Sequence, residues 1–213
     1  MKINKYLKVL IVIFFLILVW SVINPKDMFT WFLEVFPALF GFIILGLTYK
    51  KFRFTNFCYT FILIHCSILF VGGHYTYAEV PLFNWIRDVL EHSRNNFDKI
   101  GHLAQGLVPA LMAREILLRT AVTSKRGWAN FLSVSIAMMI SAIYELFEWM
   151  MAELSGTSAD AFLGTQGYIW DTQSDMLFAL IGSVGGLLIF YYLQDKAITK
   201  IESSNIQQEK ISP

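Results

Sequence analysis

The residues able to do chemistry gather in four separate stretches of an otherwise apolar sequence. Each stretch carries two acidic or histidine side chains, namely His74 and Glu79, Asp98 and His102, Glu145 and Glu148, and Asp171 and Asp175. The last three pairs are spaced by three or four residues, so the two members of each pair share one face of a helix. Carboxylate oxygens suit Mg²⁺, Ca²⁺ and Mn²⁺, and imidazole brings Zn²⁺ and iron into range. The pattern predicts a pocket that binds a divalent metal cation, provided that the fold brings the four stretches together.

Two overlapping sets of residues are expected to have a role in this pocket. Proton transfer or substrate contact is assigned to Asp98, His102, Glu145, Glu148 and Asp175. Metal ligation is assigned to His74, Glu79, His102, Glu145, Glu148, Asp171 and Asp175. The spacing matches neither the Glu-x-x-His pairs of di-iron bundles nor the His-Glu-x-x-His helix of zinc proteases. The sequence therefore leaves open which cation binds, and whether one binds at all.

Each pair also has a purely structural interpretation. Asp98 near a helix start would stabilise free backbone N–H groups and pair with His102, and Asp171 would cap a later helix. The two glutamates could face water or be neutralised by nearby Lys99 or Arg94. An aspartate at the centre of a transmembrane helix costs about 2.5–3.5 kcal/mol on insertion scales, so buried acids are usually functional. For the glutamates this cost favours a site.

For His74 and Glu79 the expected loop position favours ordinary solvated side chains. Asp175 lies one turn beyond Asp171, where capping does not apply. The sequence therefore supports a site role for Asp175 more strongly than for the loop pair.

The elements that must position these residues are transmembrane helices. Of the 213 residues, 56% are hydrophobic and only 15% are charged, too few to cover a water-soluble domain. Apolar stretches of about 17–25 residues predict spans at 6–23, 28–48, 54–71, 100–118, 128–151 and 174–193. We expect an all-α, polytopic transmembrane helical bundle of about six spans, with one domain over 1–196 and a polar C-terminal tail over 197–213. The glycines Gly182, Gly185 and Gly186 in the last span predict close helix packing.

The positive charges predict the orientation. With six spans and both termini cytoplasmic, the outer side keeps only four of the 17 Lys and Arg residues, which are Lys26, Arg87, Arg94 and Lys99. The candidate pocket then lies near the outer leaflet. A net charge of +1 indicates no nucleic-acid partner, so the lipid bilayer is the partner that the sequence requires. The oligomeric state is not determined by the sequence.

Four motifs surround the candidate residues. They are GGHYTY at 72–77, FDKIGHLAQG at 97–106, AIYELFEW at 142–149 and FLGTQGYIWDTQSDM at 162–176. In these motifs, and over most of its length, the chain resembles the YjdF family of uncharacterised bacterial inner-membrane proteins. The resemblance implies a multi-pass protein of the bacterial inner (plasma) membrane, and it implies no particular activity.

A looser likeness is to VanZ-like membrane proteins. In those proteins an Asp-Lys-x-x-His helix start precedes a glutamate-bearing span and an Asp-x-x-x-Asn-x-x-Gly helix. The similar residues here are the stretch 98–102, Glu145, Asp175 and Gly182. Phe178 or Ala179 stands where that pattern has its asparagine. The likeness implies an envelope-related function, but the motif that carries this likeness is incomplete here because its asparagine is missing.

Three functions fit the predicted pocket. In the first, a divalent cation in the pocket acts on a lipid or envelope precursor, with a carboxylate or His102 moving the proton. In the second, the acids form a cation or proton relay across the membrane, which would need His65, Arg114 and Glu115 to continue it inward. In the third, the protein is a scaffold without catalysis, and its polar cluster only holds helices together.

Overall fold

The structure is a computed structural model that describes residues 4–155 and 166–211. Seven helices contain most of these described residues. They are α1 (Lys5–Val22), α2 (Met28–Thr48), α3 (Asn56–Tyr75), α4 (Pro81–Val89), α5 (Phe97–Arg119), α6 (Arg126–Ser155) and α7 (Asp171–Ile211). This described part of the chain contains no strand. The prediction of an all-α bundle is confirmed.

Short polar side chains define the starts of the first three helices. Asn4 accepts a hydrogen bond from the backbone N–H of Leu7 at 2.7 Å, and Asp27 accepts one from Thr30 at 2.6 Å. Thr55 caps α3 in the same way. Such caps satisfy N–H groups that have no partner within the helix. The observed starts therefore fall within two residues of the predicted ones.

Five of these helices, α1, α2, α3, α6 and α7, are long and apolar enough to cross a membrane. Helix α5 has 23 residues, which is long enough, but it is too polar to be counted with them. It packs against α3, α6 and α7, and its polar residues His102, Gln105, Arg114 and Glu115 are buried. A helix that neighbouring helices cover does not need an apolar surface. The six expected spans are therefore five apolar helices and one polar helix packed against three of them.

Other boundaries differ from the prediction. Helix α4 lies between the third and fourth expected spans, where no span is predicted, and Pro81 starts it at a position where proline is favoured. Its Leu82, Trp85 and Val89 side chains are exposed, which is typical of a helix at a membrane surface.

Helix α7 begins at Asp171 and continues to Ile211, so residues expected in the tail extend the last helix. The predicted loop after the fifth span falls largely on 156–165, outside the described residues.

The long helices alternate in direction, so the starts of α2, α5 and α7 meet the ends of α3 and α6 at one end of the bundle. A hydrogen bond of 3.0 Å from the N–H of Lys26 to the carbonyl of His74 lies at this end. At the opposite end, Asn4 contacts Asn56 and Arg126 contacts Asp195. We call the first the acidic end, because Glu34, Asp98, Glu148 and Asp175 lie there. Its placement on the outer side of the membrane remains the prediction from the charges.

Helices α5 and α7 approach closely because glycines face backbone across their contact. A Cβ added to Gly106 would lie 1.8 Å from the carbonyl oxygen of Ala179, and one added to Gly182 would lie 2.0 Å from that of Leu103. Gly186 faces the side chain of Leu107 in the same way. The predicted close packing therefore holds for Gly182 and Gly186, whereas a Cβ at Gly185 would meet nothing within 4 Å.

We expect Gly182→Ala to lower the free energy of unfolding by about 1–3 kcal/mol, because the added methyl group forces the two backbones apart. Gly185→Ala is the matched control on the same helix, and its added methyl group enters open space. Thermal unfolding of both variants in detergent micelles, followed by circular dichroism, measures the difference. Equal midpoints for the two variants would contradict this account of the contact.

Candidate functional site

Six carboxylates from four helices converge at the acidic end. We call them the acidic cluster, and they are Glu34 of α2, Asp98 of α5, Glu145 and Glu148 of α6, and Asp171 and Asp175 of α7. Asp98 is partly exposed, and the other five are buried. The fold therefore brings together six of the eight residues that the sequence predicts as site residues, counting His102, and adds Glu34.

His102 lies between carboxylates of three helices. Its Nε2 atom is 3.2 Å from Asp98 Oδ1 and 3.7 Å from Asp175 Oδ1, and its Nδ1 atom is 3.6 Å from Glu145 Oε1. The Nδ1 atom also lies 3.0 Å from the amide oxygen of Gln105. Both ring nitrogens thus face oxygen acceptors, an arrangement that a protonated imidazole satisfies with its two N–H groups. The i,i+4 pairing of Asp98 and His102 is as predicted.

Lys99 and Arg94 neutralise the aspartates of the acidic cluster. The Lys99 ammonium donates to Asp171 at 2.7 Å and to Asp175, and lies 3.4 Å from Asp98. Arg94 pairs with the same Asp171 oxygen and lies 3.6 Å from Asp98. These ion pairs connect the start of α5 to the start of α7. Asp171 therefore has ionic partners beyond a capping role.

A partly open cavity of about 110 Å³ lies beside His102, on the side of α2 and α6. Its polar lining includes Glu34, Asp98, Glu148 and two tyrosine side chains. One of these tyrosines, Tyr144, donates from its hydroxyl to Glu34 at 3.2 Å. The cavity has room for a few water molecules, each of which takes about 30 Å³ in the liquid. It gives a small molecule or an ion access to Glu148 and His102 together.

Tyr77 closes the cavity from the segment that follows α3. Its backbone is left-handed, with φ 52°, as is that of Thr76 with φ 56°. Its ring packs where a Cβ on Gly72 or Gly101 would otherwise lie, at 2.1 Å and 2.9 Å from ring atoms. Burial, and after it the charge of Glu34, raises the pKa of the Tyr77 hydroxyl well above its usual value. The hydroxyl therefore remains protonated and can donate a hydrogen bond.

His74 and Glu79 are not brought to the acidic cluster by the described contacts. His74 Nδ1 lies 3.0 Å from the carbonyl oxygen of Ser21, and the imidazole stacks on Trp20 with ring centroids 4.6 Å apart. Glu79 is half-exposed and pairs with Lys26. The end of α3 packs against α1, so these side chains turn toward the 22–27 connection. This geometry does not support the expectation that they ligate the same cation as His102.

Glu34 and Tyr77 are the site residues that sequence reasoning missed. Glu34 is the one acidic residue in the second apolar stretch, and an acid inside a span is itself a signal of function. No acidic or histidine residue accompanies it at helical spacing, so the spacing pattern that marks the other pairs does not mark Glu34. For Tyr77 the sequence signal is weak: Gly72 and Gly101, whose small size leaves room for its ring, lie 29 residues apart.

The acidic cluster carries more negative than positive groups. Six carboxylates face two permanent cations, Lys99 and Arg94, and one imidazole. The Oε1 atom of Glu145 is buried and has no hydrogen-bond partner among the described residues. Uncompensated carboxylates are costly away from water, so they bind protons or a cation. The arrangement suits cation binding and proton transfer.

We expect Lys99→Met to lower the free energy of unfolding by about 3–5 kcal/mol, because Asp171 and Asp175 lose a buried partner. Lys26→Met breaks only the half-exposed pair with Glu79 and should lower it by about 0–1 kcal/mol. Thermal unfolding in the same detergent compares the two variants. A smaller loss for Lys99→Met than for Lys26→Met would show that the buried ion pairs do not hold α5 and α7 together.

Comparison with known proteins agrees with the fold. Residues 6–196 match the family described as "Predicted membrane protein (DUF2238)". The chain is 48% identical over 169 residues to the Inner membrane protein YjdF of Escherichia coli (strain K12), covering 79% of this chain and 81% of that protein. No solved structure matches the chain. The chain therefore belongs to the DUF2238 family of membrane proteins and is a multi-pass protein of the bacterial inner membrane.

Proposed function

We propose that the acidic cluster binds a divalent cation and that the protein uses it to act on a lipid or envelope precursor. The observation that carries the proposal is the arrangement of Asp98, His102 and Asp175, whose potential ligand atoms all lie within 4.8 Å of one another. Two carboxylates and an imidazole are a usual donor set for Mn²⁺, Zn²⁺ or Fe²⁺. Glu145, with a buried oxygen that lacks a donor, is the natural fourth ligand.

A bound cation would displace the Nε2 proton of His102, which faces Asp98 and Asp175, and the ammonium of Lys99. The Lys99 ammonium contacts Asp175, one of the three potential ligands, and also contacts Asp171. Asp171 lies next to the site and accepts the same ammonium, so Lys99 can keep a partner when the cation takes Asp175. The ammonium thus acts as the counter-ion of the cation-free state.

The reaction class follows from the groups around the cavity. A divalent cation would polarise a phosphoryl or carbonyl group through its oxygen and support nucleophilic attack at the phosphorus or carbon atom. Glu148 lines the cavity beside His102 and is placed to accept or return the proton of the attacking group. Tyr77 also lines the cavity, and its protonated hydroxyl can donate to an oxygen of the substrate.

A wider groove of about 550 Å³ at the acidic end supports an anionic substrate. Its lining includes the basic side chains of Arg87, His92, Arg94 and Lys99. Lys99 belongs both to this lining and to the ion pairs of the acidic cluster, so the groove adjoins the cation ligands. A basic approach to an acidic centre attracts phosphate or carboxylate groups and delivers them to the cation.

A transmembrane relay has less support from the described residues. It would have to continue inward from His65, which lines the small cavity beside His102. Beyond His65 the adjoining space is lined almost entirely by apolar side chains. Arg114 is bound to Asp195 at 2.8 Å, and Glu115 is bound to Thr55 and Arg119. These inner charges hold helices together at the opposite end of the bundle.

The direct test is cation binding to the purified protein in detergent at neutral pH without chelator. Electron paramagnetic resonance titration with Mn²⁺, together with elemental analysis for Zn²⁺ and iron, should give one bound ion per chain. We expect Asp98→Asn and Asp175→Asn to weaken binding about 10- to 100-fold or more, which is the range seen even for groups that only support ligands. Each variant keeps its side-chain shape, so folding is checked by the thermal midpoint.

Glu79→Gln is the matched control, because Glu79 is an acid at the same end with an exposed ion pair outside the acidic cluster. It should bind Mn²⁺ as the unmodified chain does. If the unmodified chain binds no ion, or if the two aspartate variants bind as tightly as Glu79→Gln, the proposed cation site is wrong.

Glu148→Gln separates a functional site from a scaffold. If Glu148 serves the reaction, removing its charge should leave thermal stability unchanged or higher, while the dependence of ligand binding on pH changes. If the acidic cluster only holds helices together, the variant should melt earlier and bind cation unchanged. The second result would favour a scaffold.

A further inference from the structure

A second large space lies between α1, α2, α3 and α5, and we call it the apolar groove. Its volume is about 480 Å³, within the range of about 300–1,000 Å³ for small-molecule sites. Its walls are apolar side chains such as Phe14, Phe42 and Ile62, with Met112 contributed by α5. None of the functional residues discussed above, His65 excepted, lies in this lining.

The apolar groove adjoins the polar cavity beside His102. Four residues, Pro37, His65, Leu69 and Pro109, line both spaces. Pro37 lies inside α2 and Pro109 inside α5. A proline inside a helix removes a backbone hydrogen bond and bends or loosens the helix at that point. The two prolines therefore stand where the helices separate and the two spaces meet.

The apolar groove has the length of a lipid chain in one leaflet. Along α2 its lining runs from Pro37 to Tyr49, and twelve residues at 1.5 Å per residue cover about 18 Å. Half of the hydrocarbon thickness of a bilayer is about 15 Å. The groove begins near Pro37 and His65, where it meets the polar cavity, and runs from there toward the opposite end, as the far part of a chain anchored at the acidic cluster would.

Two glycines of α2 leave open space in the wall of the apolar groove. Gly41 and Gly46 belong to its lining, and a Cβ added to either would meet nothing within 4 Å. Glycine is unfavourable inside a helix by about 0.5–1 kcal/mol relative to alanine. Here the missing side chains leave room for a ligand.

We propose that the apolar groove holds the acyl chain of a phospholipid-type substrate whose phosphate head group reaches the acidic cluster. The inference rests on the proposed cation site for the head group and specifies the substrate class. The occupant must be amphipathic, because the two adjoining spaces share four lining residues and are polar near Glu34 and Glu148 but apolar beyond His65. Bilayer hydrocarbon lies against the surrounding helices, so an acyl chain is the apolar group at hand.

The test uses phosphatidylglycerol that carries a photoactivatable diazirine in its acyl chain, in vesicles containing the full-length protein. Crosslinked peptides are identified by mass spectrometry. We expect crosslinks to residues of the groove lining on α2 and α5, including Met112. Gly41→Phe should reduce them at least about tenfold, the loss expected when a site is filled.

Gly127→Phe is the matched control, because Gly127 also has open space around it but lies on α6 outside the groove lining. It should crosslink like the unmodified chain. Gly46→Phe fills the same groove at a second point, and thermal midpoints identify any variant that fails to fold. If Gly41→Phe and Gly46→Phe both fold and crosslink like Gly127→Phe, the lipid only surrounds the protein and the groove is not a chain site.

Repeating the experiment with and without Mn²⁺ separates this inference from the cation proposal. Groove crosslinks that depend on Gly41 and increase with Mn²⁺ support both. Crosslinks that depend on Gly41 but ignore Mn²⁺ support the chain site and count against a cation-bound head group. Mn²⁺ binding without groove crosslinks overturns the chain site and leaves the cation site standing.

Discussion

The close approach of α5 and α7 is the contact on which the rest of the structure depends. Gly106 and Gly182 let the two backbones touch, and the touching helices place Asp175 beside Lys99 and His102. A larger residue at either glycine would separate the helices and with them the ion pairs. The packing of α5 also explains why its sequence can be polar. Because α5 is packed against α3, α6 and α7, it can carry charges that a lipid-facing helix cannot.

Most carboxylates of the acidic cluster are buried, which by itself would lower the stability of the folded protein. Lys99 and Arg94 neutralise the aspartates, whereas Glu145 retains a buried oxygen without a hydrogen-bond donor. A cluster that served only to join helices would be expected to satisfy each buried group. The unsatisfied carboxylate oxygen is the physical basis for the proposal that this end of the bundle binds a cation.

The polar cavity and the apolar groove adjoin each other, and polarity falls from the first to the second along the bundle. His65 stands at the boundary, between the acids above it and the apolar walls beyond. Such a gradient matches the chemistry of a lipid, in which a charged head group joins a hydrocarbon chain. It also explains why a polar pathway through the bundle is not the interpretation that these residues favour.

The sequence by itself determined the helices and the pairing of residues within them. Apolar length predicts the spans, and three- or four-residue spacing places Asp98 with His102 on one face, because both depend only on neighbours in the chain. Tertiary structure alone decided which pairs meet. It brought Glu34 and Tyr77 to His102, and it turned His74 toward α1. Those contacts join residues far apart in sequence, and they follow from which helix surfaces pack together, which no local pattern encodes.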